Sequence, residues 1–307
     1  MLWYERVEKM EKFNMHKHFI CSLRMLCALL VAFSLASCSA IKLTYNNGDT
    51  LAYWWLNGYL DLDSEQSKYV KQEIDELFRW HRRTQLRDYA QLLANAQRQL
   101  ANGPTQADLV NNLRDIRARS ELLAFKALPE LADLARSVRP EQIAQMEQKF
   151  RKNNETYRKK FMSGSVEDRR EARFEKNMEQ FELWFGDFSR EQEAALKRVS
   201  DARPLDNEIW LEERMLRQRK IVSVLREIQQ KKLNKEATMA LLHKLVNELF
   251  HRFDAPERKA FYDAQTEGSM QMILTAVKIA TPQQKAHAQK RMQGWIGDFN
   301  TLAAEKR

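Results

Sequence analysis

Only 8 Gly and 6 Pro punctuate the 307 residues, and between them apolar residues recur three and four apart over long intervals. That spacing gathers apolar side chains on one face of an α-helix. A sandwich of strands would need turn residues about every 8–12 positions, and collagen-like or low-complexity chains need far more Gly and Pro. With 15 Phe, 8 Tyr and 7 Trp the chain has ample material for a core, which argues against disorder. The expected fold class is all-α, an array of about 8–9 helices in antiparallel or orthogonal hairpins.

The boundaries follow from capping chemistry. Asp63 or Ser64 starts a long helix carrying Val70, Ile74, Leu77, Phe78, Leu86, Tyr89, Leu92 and Leu93, which Asn102-Gly103-Pro104 stops. A second helix covers 105–128 and ends or kinks at Pro129. Pro140 opens the next, with Ile143, Met146, Phe150, Tyr157 and Phe161. Further helices are expected over 166–186, 189–201, 205–232, 234–253 and 256–279, with a last one from Thr281. Pro204 marks a break, so 51–307 is read as a helical domain of two lobes meeting near 201–206.

The first 37 residues read as an address. Lys17 and Arg24 precede the apolar run Met25–Ala36, and the small residues Ser37, Cys38, Ser39 and Ala40 follow. A basic region, a short apolar region and a small-residue cleavage site make a secretory signal, shorter than the roughly 20 apolar residues of a membrane span. Residues 1–14 fit no such signal, and Met15 is the better start: 1–14 read as an over-extended start, or alternatively as a cytosolic extension that lengthens the basic region, and 15–37 as the signal peptide. Leu35-Ala36-Ser37-Cys38 resembles the lipobox of bacterial lipoproteins. That resemblance implies cleavage before Cys38 and acylation of its sulfur and new amino group. Ser39, where Asp would imply inner-membrane retention, implies sorting to the Gram-negative outer membrane. Several acyl chains anchor stably where a single one is marginal.

Processing would leave Cys38 as the sole cysteine, since Cys21 and Cys27 lie in the leader. Disulfides within the chain, cysteine-based zinc sites and thiol redox chemistry are thereby excluded. The net charge of +9 becomes +7, with 46 basic against 39 acidic residues. Residues 38–50 read as a lipidated tether with an Asn-Asn-Gly-Asp turn. The aromatic knot Tyr53, Trp54, Trp55 and Tyr59 follows; it either lies at headgroup level or packs on the core.

Four helix starts share one form: Leu62-Asp63-Ser64-Glu65-Gln66, Val138-Arg139-Pro140-Glu141-Gln142, Phe188-Ser189-Arg190-Glu191-Gln192 and Ala280-Thr281-Pro282-Gln283-Gln284. Each offers a staple residue and a capping-box amide. Their spacings of 76, 50 and 92 residues exclude a regular solenoid. Trp184-Phe185-Gly186-Asp187-Phe188 is echoed by Trp295-Ile296-Gly297-Asp298-Phe299. Duplicated hairpins would explain both repeats, as would recurrent capping chemistry. The starts are similar to the Leu-Thr-x-x-Gln repeats of small periplasmic helical chaperones, although none has the Leu-Thr pair.

A longer run is more specific. The lipobox, Tyr45-Asn46-Asn47, Trp54-Trp55, Leu62 through Gln66, and Trp80-His81-Arg82 with Gln85-Leu86 and Tyr89 follow in order. The run resembles a family of uncharacterised proteobacterial lipoproteins, and the similarity continues through the Glu-Gln starts at 141 and 191. It implies an all-helical fold and an envelope address, with no activity attached.

Two polar clusters are candidate sites. Trp80, His81, Arg82, Gln85 and Tyr89 place His81, Gln85 and Tyr89 on one helix face, fit either for a carboxylate, phosphate or glycan ligand or for a buried network between helices. Arg158, Lys159, Lys160, Arg169, Arg170 and Arg173 form a basic stretch that reads as an anion-binding patch or a solvated face. Export removes nucleic acid from consideration, leaving an envelope protein or an anionic envelope component as partner, besides the membrane held through covalent lipid. His81, His243, His251 and His287 show no metal-ligand spacing, so no metal or cofactor is expected, and no catalytic constellation is evident. The reading is an outer-membrane-anchored periplasmic lipoprotein with a binding or scaffold role. The rivals are a chaperone-like or envelope-stress protein and an enzyme on peptidoglycan or envelope lipid. The enzyme reading predicts a pocket joining a carboxyl of raised pKa to His81 or Arg82.

Overall fold

The computed structural model describes residues 40–251 and 256–305, and the lipobox, leader and Cys38 lie outside them. The described residues contain helices and no strand, which agrees with the expected class. Residues 40–47 are the described part of a first compact unit and hold one helix, α1 (Ala40–Asn46). The expected tether is therefore helical over most of its described length.

The second unit begins at Gly48 and holds twelve helices among its described residues. They are α2 (Gly48–Leu60), α3 (Ser64–Thr84), α4 (Leu86–Asn102), α5 (Gln106–Lys126), α6 (Leu128–Ser137) and α7 (Pro140–Phe161), followed by α8 (Val166–Phe185), α9 (Arg190–Ala202), α10 (Asn207–Lys231), α11 (Lys235–Phe250), α12 (Pro256–Ile279) and α13 (Pro282–Ala304). The described count exceeds the expected 8–9, in part because one predicted helix is two. At Thr84 the side-chain hydroxyl donates back to the Trp80 carbonyl at 2.8 Å, a bond that bends helices. The backbone bonds from Gln85 to His81 and from Tyr89 to Gln85 persist, so the chain turns without unravelling. Gly103, at φ 81°, ends α4 where only glycine is unstrained.

Two apolar cores organise this unit. The first gathers Tyr53, Val70, Leu128, Val138, Ile143, Ile228 and Leu245 from α2, α3, α6, α7, α10 and α11. The second gathers Leu100, Phe174, Phe188, Leu196, Ala276 and Ala288 from α4, α8, α9, α12 and α13, with neighbouring Trp184 against Trp295 at 4.7 Å. The cores draw on interleaved parts of the chain, so 203–206 is one of several crossings between them.

The four repeated helix starts pair across space, one pair per core. Gln66 and Gln142 exchange amide hydrogen bonds of 3.1 and 2.7 Å; Gln192 and Gln284 exchange bonds of 2.9 and 3.2 Å. Each Gln oxygen also accepts from the backbone N–H of its own cap residue: Asp63, Arg139, Ser189 or Thr281. Each Gln nitrogen donates to a carbonyl two residues before the opposite cap: Gln66 to Ser137, Gln142 to Asp61, Gln192 to Ile279 and Gln284 to Asp187. The staple residues Val138, Phe188 and Ala280 are buried beside these clasps, and Leu62 is half-buried. A glutamine is required because the position must both accept and donate.

Candidate functional site

An apolar groove of about 510 Å³ runs along α3 against the end of α5 and the start of α6. The antiparallel pairing of α3 with α6 follows from the first clasp, which holds Gln66 against Ser137. Leu56, Val70, Ile74, Leu77, Leu131 and Leu134 wall the groove. Its size is ordinary for a ligand cleft.

Charge varies along its length. Toward the clasp lie Tyr69, Glu73 and Glu130, with the Tyr69 hydroxyl donating to Glu130 Oε2 at 3.3 Å. Burial, then the Glu130 and Glu76 charges, raise the Glu73 carboxyl above its ordinary range. Burial and the Glu130 charge likewise push the Tyr69 phenol up, so it stays a neutral donor. Among the described residues no cation comes within ion-pair distance of Glu73 or Glu130; nearby Asp133 is bonded to Lys235 at 2.6 Å. At the other end are Trp80, Arg79, Arg83 and Lys126, with the Lys126 ammonium 5.8 Å from the Trp80 ring. Arg79 is balanced by Asp75 at 3.2 Å.

Two further grooves match their carboxylates internally. Between α7 and α10 a groove of about 810 Å³ pairs Glu147 with Arg226 and Glu227 with Lys231. One of about 970 Å³ beside α5 and α12 contains Arg217, bound to Glu213, and Lys259, bound to Asp263.

The residues singled out in the sequence are not brought into one site. His81 and Tyr89 do meet across the α3–α4 bend, with 3.3 Å between Nε2 and the hydroxyl, and Tyr89 packs edge-on to Phe299 of α13. Burial lowers the His81 pKa, which keeps the ring neutral. Arg82 is buried and donates to Glu305 at 2.6 Å. Gln85 bonds Thr84. Trp80 alone of the five faces the groove. These contacts tie α3 and α4 to the last helix and its end.

The basic stretch also disperses. Arg173 donates to the Ser200 and Pro204 carbonyls at 2.6 and 2.8 Å, finishing α9; burial and the nearby Arg203 charge depress its pKa to about 10. Arg169 bonds the Ser165 carbonyl and Arg170 lies 4.0 Å from Glu167. Arg158 approaches the Met215 sulfur and Lys160 the Phe161 ring. Lys159 is exposed. The aromatic knot divides: Tyr53 is buried and bonds Ser67, Tyr59 packs at a tilt against Phe150, and Trp54 and Trp55 are 63% and 67% exposed.

The groove carboxylates escaped the sequence reading, although a signal existed. Glu73 lies between Val70, Ile74 and Leu77 on the face of α3 that those residues make apolar, where a carboxylate is out of place. Among the described residues no three His, Cys, Asp or Glu side chains are placed to hold a metal, and no helix is long and apolar enough to cross a membrane.

Fold and site define an all-helical protein with a charged, apolar-walled groove. The chain belongs to DUF6279, a family of unknown function, whose model matches residues 58–252. The matched stretch holds every groove residue named here except Leu56. No curated protein and no solved structure matches the chain.

Proposed function

We propose that this protein is a lipoprotein of the Gram-negative envelope that works by binding. Acylated at Cys38 and held on the periplasmic face of the outer membrane, it presents the α3–α6 groove to an envelope partner. The observation that carries this reading is the pair Glu73 and Glu130, set in apolar walls with no cation within ion-pair distance among the described residues. Leaving carboxylates half-buried and unmatched costs stability, and a partner that neutralises them recovers that cost. The membrane address draws support from α2, where Leu51, Trp54 and Trp55 project an apolar strip to solvent shortly after the acylation site. Indole rings favour the headgroup layer.

Binding accounts for the geometry better than catalysis does. The raised carboxyl, Glu73, shares its groove with Trp80, whereas His81 and Arg82 are engaged by Tyr89 and Glu305. A chaperone-like variant of the same role draws on α5, where Val110, Leu113, Ile116 and Leu122 are 45–52% exposed.

Two variants test the reading. Cys38→Ala is expected to accumulate as uncleaved precursor without acyl label; normal cleavage and membrane retention would refute the anchor. Leu131→Asp is expected to keep the label and the membrane fraction while losing proteins that copurify with the detergent-extracted wild type. An unchanged copurification profile would refute the groove.

A further inference from the structure

We infer that the α3–α6 groove takes a polypeptide segment that places a Lys or Arg side chain between Glu73 and Glu130 and lays apolar residues toward Trp80. This deepens the binding role proposed above and rests on it. The argument is charge complementarity at an apolar site. Asp133 already has Lys235, and Arg79 has Asp75 and Glu76. Among the described residues neither Glu73 nor Glu130 has a cation within ion-pair distance: Lys235, held by Asp133, acts on them only from further away, and Glu130 accepts from the Tyr69 hydroxyl. Tyr69 is half-buried and neutral, so it cannot offset two negative charges. A cation supplied by a partner closes the gap, and its methylene stem fits the Val70–Ile74 wall.

The opposite end favours polypeptide over a lipid amine. Arg83 and Lys126, at the Trp80 end, have no carboxylate within ion-pair distance among the described residues. Glu73 and Arg83 are ten residues apart on one helix, a rise of about 15 Å. An amine and phosphate in one lipid headgroup are too close together to engage both ends. About five extended residues span that distance. The ligand class is thus a segment with a basic residue, an apolar middle and an acidic residue. The charged side chains lining the groove, Glu73, Glu76 and Glu130 against Arg79, Arg83 and Lys126, cancel in sum, so recognition follows the local order of charges and not the net charge of the chain.

The test is calorimetric titration of the purified protein with the acetylated, amidated pentapeptide Lys-Leu-Ala-Leu-Glu and its twin with norleucine for lysine. The lysine peptide is expected to bind at least tenfold more tightly. The Glu73→Gln/Glu130→Gln double variant, with unfolding behaviour confirming its fold, should lose that preference, whereas Glu147→Gln in the α7–α10 groove should retain it. Equal affinity of the two peptides, or no binding of either at millimolar concentration, overturns the inference. Binding to phosphatidylethanolamine vesicles without a peptide preference overturns it in favour of a lipid. If the peptides are not distinguished but Leu131→Asp still strips copurifying partners, only the cation claim falls; if neither effect is seen, the groove reading falls too.

Discussion

Gln142 is 3% exposed and uses both ends of its amide inside the protein: it caps α7, pairs with Gln66 and bonds the Asp61 carbonyl. Gln142→Ala removes these bonds and leaves Gln66, also buried, without its partner, at a cost of about 2–3 kcal/mol in urea unfolding. A double-mutant cycle with Gln66→Ala should give a coupling of about 1 kcal/mol, and strictly additive losses would show that the two amides do not support each other. Glu73 behaves in the opposite sense. Facing it are Tyr69 and Glu76 on its own helix, Glu130 and Asp133 on α6, and Lys235 on α11. Its pKa is higher folded than unfolded, so the native state holds the proton more tightly. Stability therefore falls as pH rises from the ordinary value of 4.5 through the raised one, and stays lower above it. Glu73→Gln should raise Tm at pH 7 by the order of a degree, the gain vanishing below about pH 4.5. A loss of Tm at pH 7 would contradict the strained carboxylate on which the proposed binding rests.

At the level of elements, α5 is anomalous. Its 21 residues include none that is buried, and it is joined to α4 by the two-bond pair of Arg119 with Asp88, at 2.6 and 2.9 Å. Leu113→Asp and Ile116→Asp, at positions 50% and 52% exposed, should leave Tm within about 1 °C, since little apolar area returns to water. Leu196→Ala, at a fully buried position of α9, should cost about 2–5 kcal/mol. A Tm loss at 113 or 116 comparable to that at 196 would mean that α5 is covered in solution. Helix class and most boundaries were legible in the sequence, because caps such as Asp63, Thr105 and Thr281 act within four residues. The bend at Thr84 was not: helical spacing of apolar residues continues through it, and only a threonine back-bond marks it. The repeated Glu/Gln-Gln starts were legible as a pattern, but their pairing was not, because which start faces which is a long-range fact. The groove was invisible for the same reason: Glu73 and Glu130 are 57 positions apart and meet only once the first clasp has set α3 against α6.

For the whole molecule, each of the two cores has its own glutamine clasp, and the groove that the sequence did not disclose lies on helices of the first. Of the residues singled out in the sequence, Tyr89, which meets His81, and Arg82 fasten the α3–α4 bend to α13 and its end, Arg82 through Glu305, a partner the sequence did not point to. The unbalanced charge lies on the other side of Trp80. The central claim is that this groove meets a specific partner at the membrane. Its most direct test is photo-crosslinking in living cells, with a photoreactive residue at Leu131 in the groove, at Val110 on the α5 strip, or at Arg190 on the second core. The expected result is one recurrent envelope protein captured from Leu131, absent from Arg190 and lost when Cys38→Ala removes the anchor. Equal capture from all three positions, or capture of many unrelated unfolded proteins chiefly from Val110, would contradict the claim and move the binding role to α5.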